Sequence, residues 1–241
     1  MNDRPVLRTT LLAVAIALAG GLVGGGLVNF RMAERYVSVK GVAERTVKAD
    51  VGLWPLRFVS AADALDAAQR KIEADRRAVI EFLGRHGLDS TQTELQGLEV
   101  VDTRTNVYQE ARTASRFIIS MTIMVRTSEP QKIQAASQGI GELVAAGVVL
   151  SSGGGYGSGP TYLFTRLNEL KPGMLAEANA NARKAAEQFA KESRSRVGGI
   201  RRASQGVFEI LPRDQAPGIM EGSQLQKTLR VVSTVDYFLR D

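Results

Sequence analysis

The chain of 241 residues contains no cysteine and a single histidine, His86. Without cysteine there are no disulfides, thiolate metal ligands or cysteine nucleophiles. One histidine excludes a histidine-rich metal site within one chain, and any Ser-His-acid triad would have to use His86. With no cysteine and only one histidine, few of the catalytic residue combinations common in enzymes are possible in this chain.

Aromatic residues are scarce, and the excess of positive charge is moderate. Aromatic residues make up 6% of the chain. The chain contains 31 Lys and Arg and 25 Asp and Glu, which gives a net charge of +6. A nucleic-acid interface is expected to combine a basic patch with interleaved aromatics. Only Phe189 accompanies the basic residues near the predicted third helix, so we expect no nucleic-acid partner. A positive net charge of this size is compatible with binding to an anionic surface, and equally with an ordinary soluble domain.

Charge is entirely missing from residues 9–30, TTLLAVAIALAGGLVGGGLVNF. As an α-helix this segment would be about 33 Å long, close to the roughly 30 Å hydrocarbon core of a bilayer. Arg4 and Arg8 favour a cytoplasmic location for residues 1–8, with residues 31–241 on the far side. The apolar region of a cleaved signal peptide is shorter, about 7–15 residues. We therefore favour an uncleaved transmembrane signal anchor over a cleaved signal, and the body is exported in either case.

Glycines recur at a spacing of four within this apolar segment, as Gly20 and Gly24 and as Gly21 and Gly25. In a membrane helix this pattern allows two helices to approach closely. The alternative is that glycine is simply frequent in such helices. We name these four glycines as candidate residues for helix packing in the membrane.

From residue 36 onwards, alternating and helical periodicities predict the element order ββ-α-ββ-α-ββ-α-ββ. This order is typical of an α+β fold in which repeated ββα units form antiparallel sheets with helices packed on them. Residues 36–60 are interpreted as two strands joined by a turn at GVAER (residues 41–45). Helices are predicted to begin after a capping Ser60, at Pro130 and at Pro172. The exported part is one domain, or two lobes at about 36–128 and 129–241.

The stretch VVLSSGGGYGSGPTYLF (residues 148–164) holds five glycines within residues 153–159. A phosphate-binding loop needs a helix directly after the glycines, and its Walker form also needs Gly-Lys-Ser/Thr. Here a predicted strand follows and no lysine is present, so we predict no nucleotide site and assign no cofactor. We interpret the stretch as a hairpin whose tip contacts a neighbouring subunit. The candidate contact residues are Gly153, Gly154, Gly155, Tyr156 and Gly157.

Basic residues cluster where the predicted third helix, rich in alanine, ends. Arg194, Arg196, Arg201 and Arg202 form a candidate patch for an anionic lipid or a cell-wall polymer. A solvated basic face is the alternative interpretation.

No set of residues predicts catalysis or metal binding. We expect His86 to lie at a helix C-terminus, where the helix dipole favours a cation. The acidic pairs Asp63/Asp66 and Glu73/Asp75 fall on the polar side of the predicted first helix and are interpreted as a solvated face. An exported hydrolase that uses His86 or paired acids is the least favoured function.

Two segments resemble the SIMPL-domain family. YVSVKGVAERTVKAD (residues 36–50) is similar to the strand that opens the domain. Residues 159–208 are similar to the second signature, a strand ending in an aromatic, a long Ala-rich helix and a following strand. The matching positions are Tyr162, Phe164, Ala178, Ala182, Arg183, Ala186, Gly198 and Ile200. The resemblance extends over roughly residues 36–241.

The resemblance implies an exported bacterial envelope protein with an α+β fold, ring-like oligomers, and links to envelope or oxidative stress. The family has no established catalytic residues, and none is carried over. We therefore expect a single-pass protein of the bacterial inner membrane with a periplasmic body. In this interpretation it is a non-enzymatic homo-oligomer, and the alternative is a binding module for an anionic envelope component.

Overall fold

The computed structural model describes residues 18–21, 35–104, 115–151 and 159–240. Residues 18–21 are helical, and the rest of the predicted anchor 9–30 lies outside the described residues. Within the described ranges, no helix is both long and apolar enough to span a membrane.

The described elements after residue 35 are nine strands and four α-helices. In chain order they are β1 (Tyr36–Lys48), β2 (Val51–Ala62), α1 (Leu65–Arg85), β3 (Thr93–Asp102), β4 (Phe117–Thr127), α2 (Pro130–Gln138), α3 (Gly141–Ala145), β5 (Val149–Leu150), β6 (Thr161–Leu163), α4 (Leu167–Glu192), β7 (Arg196–Gln205), β8 (Glu209–Pro212) and β9 (Gln226–Arg240). Short 3-10 turns occur at Ser90–Gln92 and Glu221–Ser223. The structure is therefore α+β, as predicted.

The chain divides into two compact units that alternate along the sequence. The first unit takes its described residues from Met1–Glu44, Lys171–Phe208 and Arg230–Asp241, and the second from Arg45–Leu170 and Glu209–Leu229. This division differs from two consecutive lobes at 36–128 and 129–241.

The second unit is built on a five-stranded antiparallel sheet in the order β3-β4-β2-β5, with β6 also paired to β2. Alternate residues of β2 and β4 point to one face, where the apolar stripe of α1 covers them. The most buried side chains include Trp54, Phe58, Phe82 and Val125. Each such side chain stabilises the fold by roughly 1.5–3 kcal/mol relative to an exposed position.

The first unit packs α4 on the sheet formed by β1, β9 and β7, in that order. α4 presents buried residues at a spacing of four, so that one narrow stripe of small side chains faces the sheet. That stripe consists of Met174, Ala178, Ala182, Ala186 and Ala190. The small stripe permits so close an approach that a Cβ on Gly41 of β1 would lie 1.9 Å from the Ala178 carbonyl oxygen.

Several predicted boundaries are wrong in detail. β1 runs without a turn through GVAER, and the chain reverses after Lys48 instead. Ser60 lies inside β2, where its hydroxyl donates to the Ala68 carbonyl at 2.8 Å, and α1 begins after Ala64 without a side-chain cap. The second predicted helix is interrupted around Gly139 and becomes α2 and α3.

The start of α4 is set by a residue far away in the sequence. Asp50, in the turn between β1 and β2, accepts hydrogen bonds from the backbone N–H groups of Thr165 at 2.9 Å and Arg166 at 3.2 Å. These donors would otherwise be unsatisfied at a helix start. α4 therefore begins at Leu167 and contains Pro172, which had been predicted as the first turn.

Candidate functional site

The predicted basic patch begins at the end of α4. The Ser195 N–H bonds to the Ala190 carbonyl at 2.8 Å, and the Arg194 N–H to the Lys191 carbonyl at 3.3 Å. This pair of bonds is the Schellman motif, in which the residue after the cap adopts positive φ and is usually glycine. Here that residue is Arg194, with φ of 55°. A cation is thus held at the negative end of the helix dipole at the expense of a less favourable backbone conformation.

The other three arginines of the patch lie on β7 (Arg196–Gln205). β7 is an edge strand of its sheet and pairs antiparallel with β9. Arg194, Arg196, Arg201 and Arg202 are all exposed. Within the described part of the chain, none of the four is in an ion pair, whereas Arg183 and Arg230 of the same unit are. Such unneutralised guanidinium groups are suited to binding an external anion.

Arg201 is oriented by an aromatic ring. Its guanidinium carbon lies 4.1 Å from the centroid of Tyr36, which is 47% exposed. A guanidinium stacked on a ring keeps its N–H groups free in the plane, where they can donate to an anion. Tyr36 was not predicted as a site residue, and nothing local in the sequence indicates that it lies beside Arg201.

Arg202 lines a shallow pocket of about 210 Å³ together with Ser38, Ser204, Thr234 and Asp236. In the β7–β9 register, Arg202 lies opposite Asp236, and Ser204 opposite Thr234. The hydroxyl groups are donors for an anionic ligand, while the Asp236 carboxylate repels one. The pocket therefore favours a ligand that also carries a donor, such as a hydroxylated or amino-bearing headgroup.

Arg196 lies at the other end of β7, opposite Arg240 of β9. The neighbouring Leu239 N–H bonds to the Arg35 carbonyl at 2.8 Å. This end of the sheet is thus attached to Arg35, five residues after the end of the predicted anchor at residue 30. Arg196 and Arg240 therefore lie at the end of the sheet to which Arg35 is attached.

A second surface was not predicted at all. β3 is the edge strand of the five-stranded sheet, and its Leu95, Leu98 and Val100 are each 52–57% exposed. Leu95 and Leu98 line a groove of about 440 Å³ beside α1, whose Arg76 and Ile80 form the opposite wall. The alternation of Leu95 with Glu94, and of Leu98 with Glu99, was visible in the sequence. Only the topology shows that α1 leaves this edge uncovered.

The remaining predicted residues are only partly described. Gly20 and Gly21 are helical and exposed, and a Cβ added to either would meet nothing within 4 Å. Gly24, Gly25 and the loop residues Gly153, Gly154, Gly155, Tyr156 and Gly157 lie outside the described residues. The strands that flank this loop, β5 and β6, each pair with β2 and not with each other, so the predicted hairpin is wrong.

A metal-binding cluster is not found in the part of the chain that the structure describes. No group of three or more His, Asp or Glu side chains there is arranged to hold a metal ion. His86 caps the C-terminus of α1 as expected, and its ring packs edge-on against Phe82 with centroids 4.7 Å apart. Its Nε2 lies 3.9 Å from Glu142 Oε1, beyond hydrogen-bond distance.

The chain was compared with known protein families. Residues 37–235 match the model of the family SIMPL, described as a protein of unknown function (DUF541). This match covers most of the chain and confirms the resemblance seen in the sequence. A comparison with curated proteins finds no match.

Proposed function

Since this chain belongs to the SIMPL family of unknown function, we propose that it is a non-enzymatic, self-associating protein anchored in the bacterial inner membrane. The body would lie on the periplasmic side. The uncharged segment 9–30, preceded by Arg4 and Arg8, supports the anchor and its orientation. The helical conformation of residues 18–21 is compatible with it. Ring-like assembly and a role in envelope or oxidative stress are part of the proposal and derive from the family resemblance.

The observation that carries self-association is the presence of long edge strands: β1 and β7 at the two edges of one sheet, and β3 at an edge of the other. β3 and β7 each have ten residues and, among the described residues, no strand on their outer sides. An edge strand exposes unpaired backbone N–H and C=O groups that can pair with another chain. β3 adds three exposed apolar side chains, and β7 adds Ile200, which is 59% exposed. Monomeric proteins usually protect such edges.

The first experiment compares the full chain with a variant lacking residues 1–30. We expect the full chain to sediment with membranes and to resist extraction by high salt and alkaline carbonate, and the shortened chain to be released. Light scattering during size-exclusion chromatography in detergent should show a mass that is a multiple of 26.0 kDa. A protein that remains monomeric across the accessible concentration range would refute self-association.

A second candidate function is the binding of an anionic envelope component, a lipid headgroup or a polymer, by the arginines of β7. The observation that favours it is the absence of ion pairs at Arg196, Arg201 and Arg202 in the described structure, beside the attachment of β9 to Arg35. Basic residues close to an anionic bilayer each contribute about 1 kcal/mol to binding.

The test measures binding of residues 31–241 to vesicles with and without phosphatidylglycerol. Arg196→Gln, Arg201→Gln and Arg202→Gln together should weaken binding by roughly a hundredfold at low salt, about fivefold for each charge. The matched control removes three exposed cations from α4 by Arg183→Gln, Lys184→Gln and Lys191→Gln. Equal losses in both triple variants would indicate a non-specific charge effect, and no salt-dependent binding would remove the candidate.

A further inference from the structure

The edge strands β3 and β7 carry opposite charges. β3 contains Glu94, Glu99 and Asp102 and no basic residue, whereas β7 contains Arg196, Arg201 and Arg202 and no acidic residue. Asp102 is engaged by Arg116 at 2.9 Å, so the acids of interest are Glu94 and Glu99. Strand pairing of β3 with another β3 would bring acids near acids, and pairing of β7 with β7 would bring arginines near arginines, which is unfavourable.

The spacing of the charges also matches. Along β3, Glu94 lies opposite Met124 and Glu99 opposite Ser120 of β4. The two acids are therefore four steps apart, where one step is one cross-strand pair, because a bulge between Leu95 and Gly97 adds one unpaired residue. Along β7, Arg196 lies opposite Arg240 and Arg202 opposite Asp236, which is again four steps, with bulges in between. Because an even number of steps returns to the same face, each pair of charges shares one face of its strand.

On each of the two edge strands, the face opposite to the charged residues carries apolar residues, and these recur at the same spacing. Leu95, Leu98 and Val100 lie opposite Ile123, Met121 and Ile119, at intervals of two steps. Val197, Ile200 and Ala203 lie opposite Leu239, Tyr237 and Val235, also at intervals of two steps. In each sheet this is the face on which the helix packs, since Ile119 and Met121 belong to one core and Val235 and Tyr237 to the other.

We propose that β3 of one molecule pairs with β7 of a second copy of this chain, which extends the five-stranded sheet of one into the sheet of the next. Glu94 and Glu99 then lie across from Arg196 and Arg202 on one face, and the apolar residues meet on the other. The inference rests on the proposed self-association and identifies the surfaces that carry it. The spacing fits both strand directions: an antiparallel pair sets Glu99 across from Arg196, and a parallel pair sets it across from Arg202.

A contact of this kind is heterologous, because different surfaces of the two copies meet. An oligomer that has not closed keeps one free β3 at one end and one free β7 at the other, so that copies add head to tail until a ring closes or a filament forms. Glu99 already accepts a hydrogen bond from Arg57 at 3.0 Å, but its side chain remains 62% exposed. Its carboxylate therefore retains acceptor sites for an arginine of the second copy.

The test is a charge swap in the full chain purified in detergent. Glu94→Lys with Glu99→Lys, and separately Arg196→Glu with Arg202→Glu, should each weaken self-association by roughly tenfold or more, as like charges across an interface do. The variant with all four substitutions should regain most of the loss, because the charges are complementary again. Glu187→Lys with Glu192→Lys, on the exposed face of α4, is the matched control and should have no effect.

Other outcomes would overturn the proposal in distinguishable ways. If wild type and variants are all monomeric, the proposed function itself fails. If wild type associates and the β3 and β7 variants associate equally well, self-association holds but uses other surfaces. If the β7 variant loses only binding to phosphatidylglycerol vesicles, its arginines serve a lipid. Failure of the fourfold variant to recover, with unchanged circular dichroism, excludes direct pairing.

Because the chain has no cysteine, disulfide trapping gives a second readout. Molecules carrying Glu99→Cys are mixed with molecules carrying either Arg196→Cys or Arg202→Cys, and oxidised. We expect dimers with one of these partners, and the successful one reports the strand direction. Dimers that form as readily from Glu99→Cys alone would instead indicate β3–β3 contact and contradict the proposal.

Discussion

Arg194 occupies a backbone position at which glycine is usually more stable. Its φ of 55° lies in the left-handed region, where a side chain costs roughly 1 kcal/mol relative to glycine. Strained residues of this kind occur where the surrounding structure holds them in place, often at functional sites. In this chain the side chain adds a cation to the β7 patch.

Arg194→Gly should therefore raise the free energy of unfolding by about 1 kcal/mol, since it relieves the left-handed backbone. The same substitution should weaken binding to anionic vesicles, because one charge is lost. Urea denaturation measures the first effect and vesicle sedimentation the second. Ser193→Gly, one residue earlier, is the control and should not stabilise. A destabilised Arg194→Gly variant would contradict this account of the helix end.

The ion pair between Asp102 and Arg116 predicts a dependence of stability on pH. The hydrogen bond from Arg116 is the main cause that holds the pKa of Asp102 below its ordinary value of 3.8. A lowered pKa in the folded state stabilises the protein above the unfolded-state pKa, and this contribution is lost as the pH falls through the folded-state pKa. The pair therefore contributes at neutral pH and fades below about pH 4.

Asp102→Asn should lower the urea midpoint at pH 7 and should lower it less at about pH 3, because the carboxyl of the unfolded chain, with its ordinary pKa of 3.8, is mostly protonated there. Asp214→Asn, in an exposed loop, serves as the control. Urea titrations monitored by circular dichroism at a series of pH values measure both. A pH-independent difference between wild type and Asp102→Asn would show that the charge of Asp102 is not responsible.

At the scale of elements, the Ala-rich composition of α4 has a packing explanation. Residues 178, 182, 186 and 190 are alanines that are at most 3% exposed and face the sheet. Because Gly41 approaches the backbone of α4 at this level, there is no space for a larger side chain. The alanines are thus needed for close helix–sheet contact within the first unit.

Ala182→Leu should destabilise the protein by about 1–3 kcal/mol, the usual cost of overpacking a tight core. Ala185→Leu lies on the exposed face of the same helix and should change stability by less than about 0.5 kcal/mol, because leucine and alanine have similar helix propensities. Thermal and urea unfolding provide the comparison. Equal effects of the two substitutions would show that the helix is not held close to the sheet by its small residues.

At the scale of the whole molecule, the two units take their residues from alternating parts of the chain. The first unit needs β1 from the beginning, α4 and β7 from the middle, and β9 from the end. β9 is the central strand of its sheet, between β1 and β7. A cut at any one place in the sequence therefore removes essential parts of a unit.

We predict that the first unit does not fold in either fragment, 36–128 or 129–241, when each is expressed alone, because neither contains both β1 and β9. Mixing the fragments should restore this unit, since all its elements are then present. Amide NMR spectra of the separate and mixed fragments test this prediction. Native-like signals of α4 and β7 in the isolated fragment 129–241 would show that the unit depends less on β1 than the strand order indicates.

Much of the fold follows from the sequence, because local signals decide it. The apolar stripe of α1, the alternation along β4 and the SIMPL signatures are carried by side chains close together in the chain. Helices are present close to the predicted starts, at Leu65, Pro130 and Leu167, and two strands lie between each of these helices and the next. Positions whose partner is remote were not predictable in the same way. The start of α4 depends on Asp50, and the straight course of β1 on its neighbour β9.

The same distinction holds for the candidate site. The sequence by itself determined that basic residues cluster at 194–202 and that no cysteine or second histidine is present for chemistry. Only the tertiary structure decided that these arginines lie on an edge strand, that Arg201 stacks on Tyr36, and that β3 is a second, acidic edge. The physical reason is that a strand is an edge strand when no other strand pairs with its outer side. Strand pairing joins residues far apart in the sequence, so local sequence patterns do not show which strands remain unpaired.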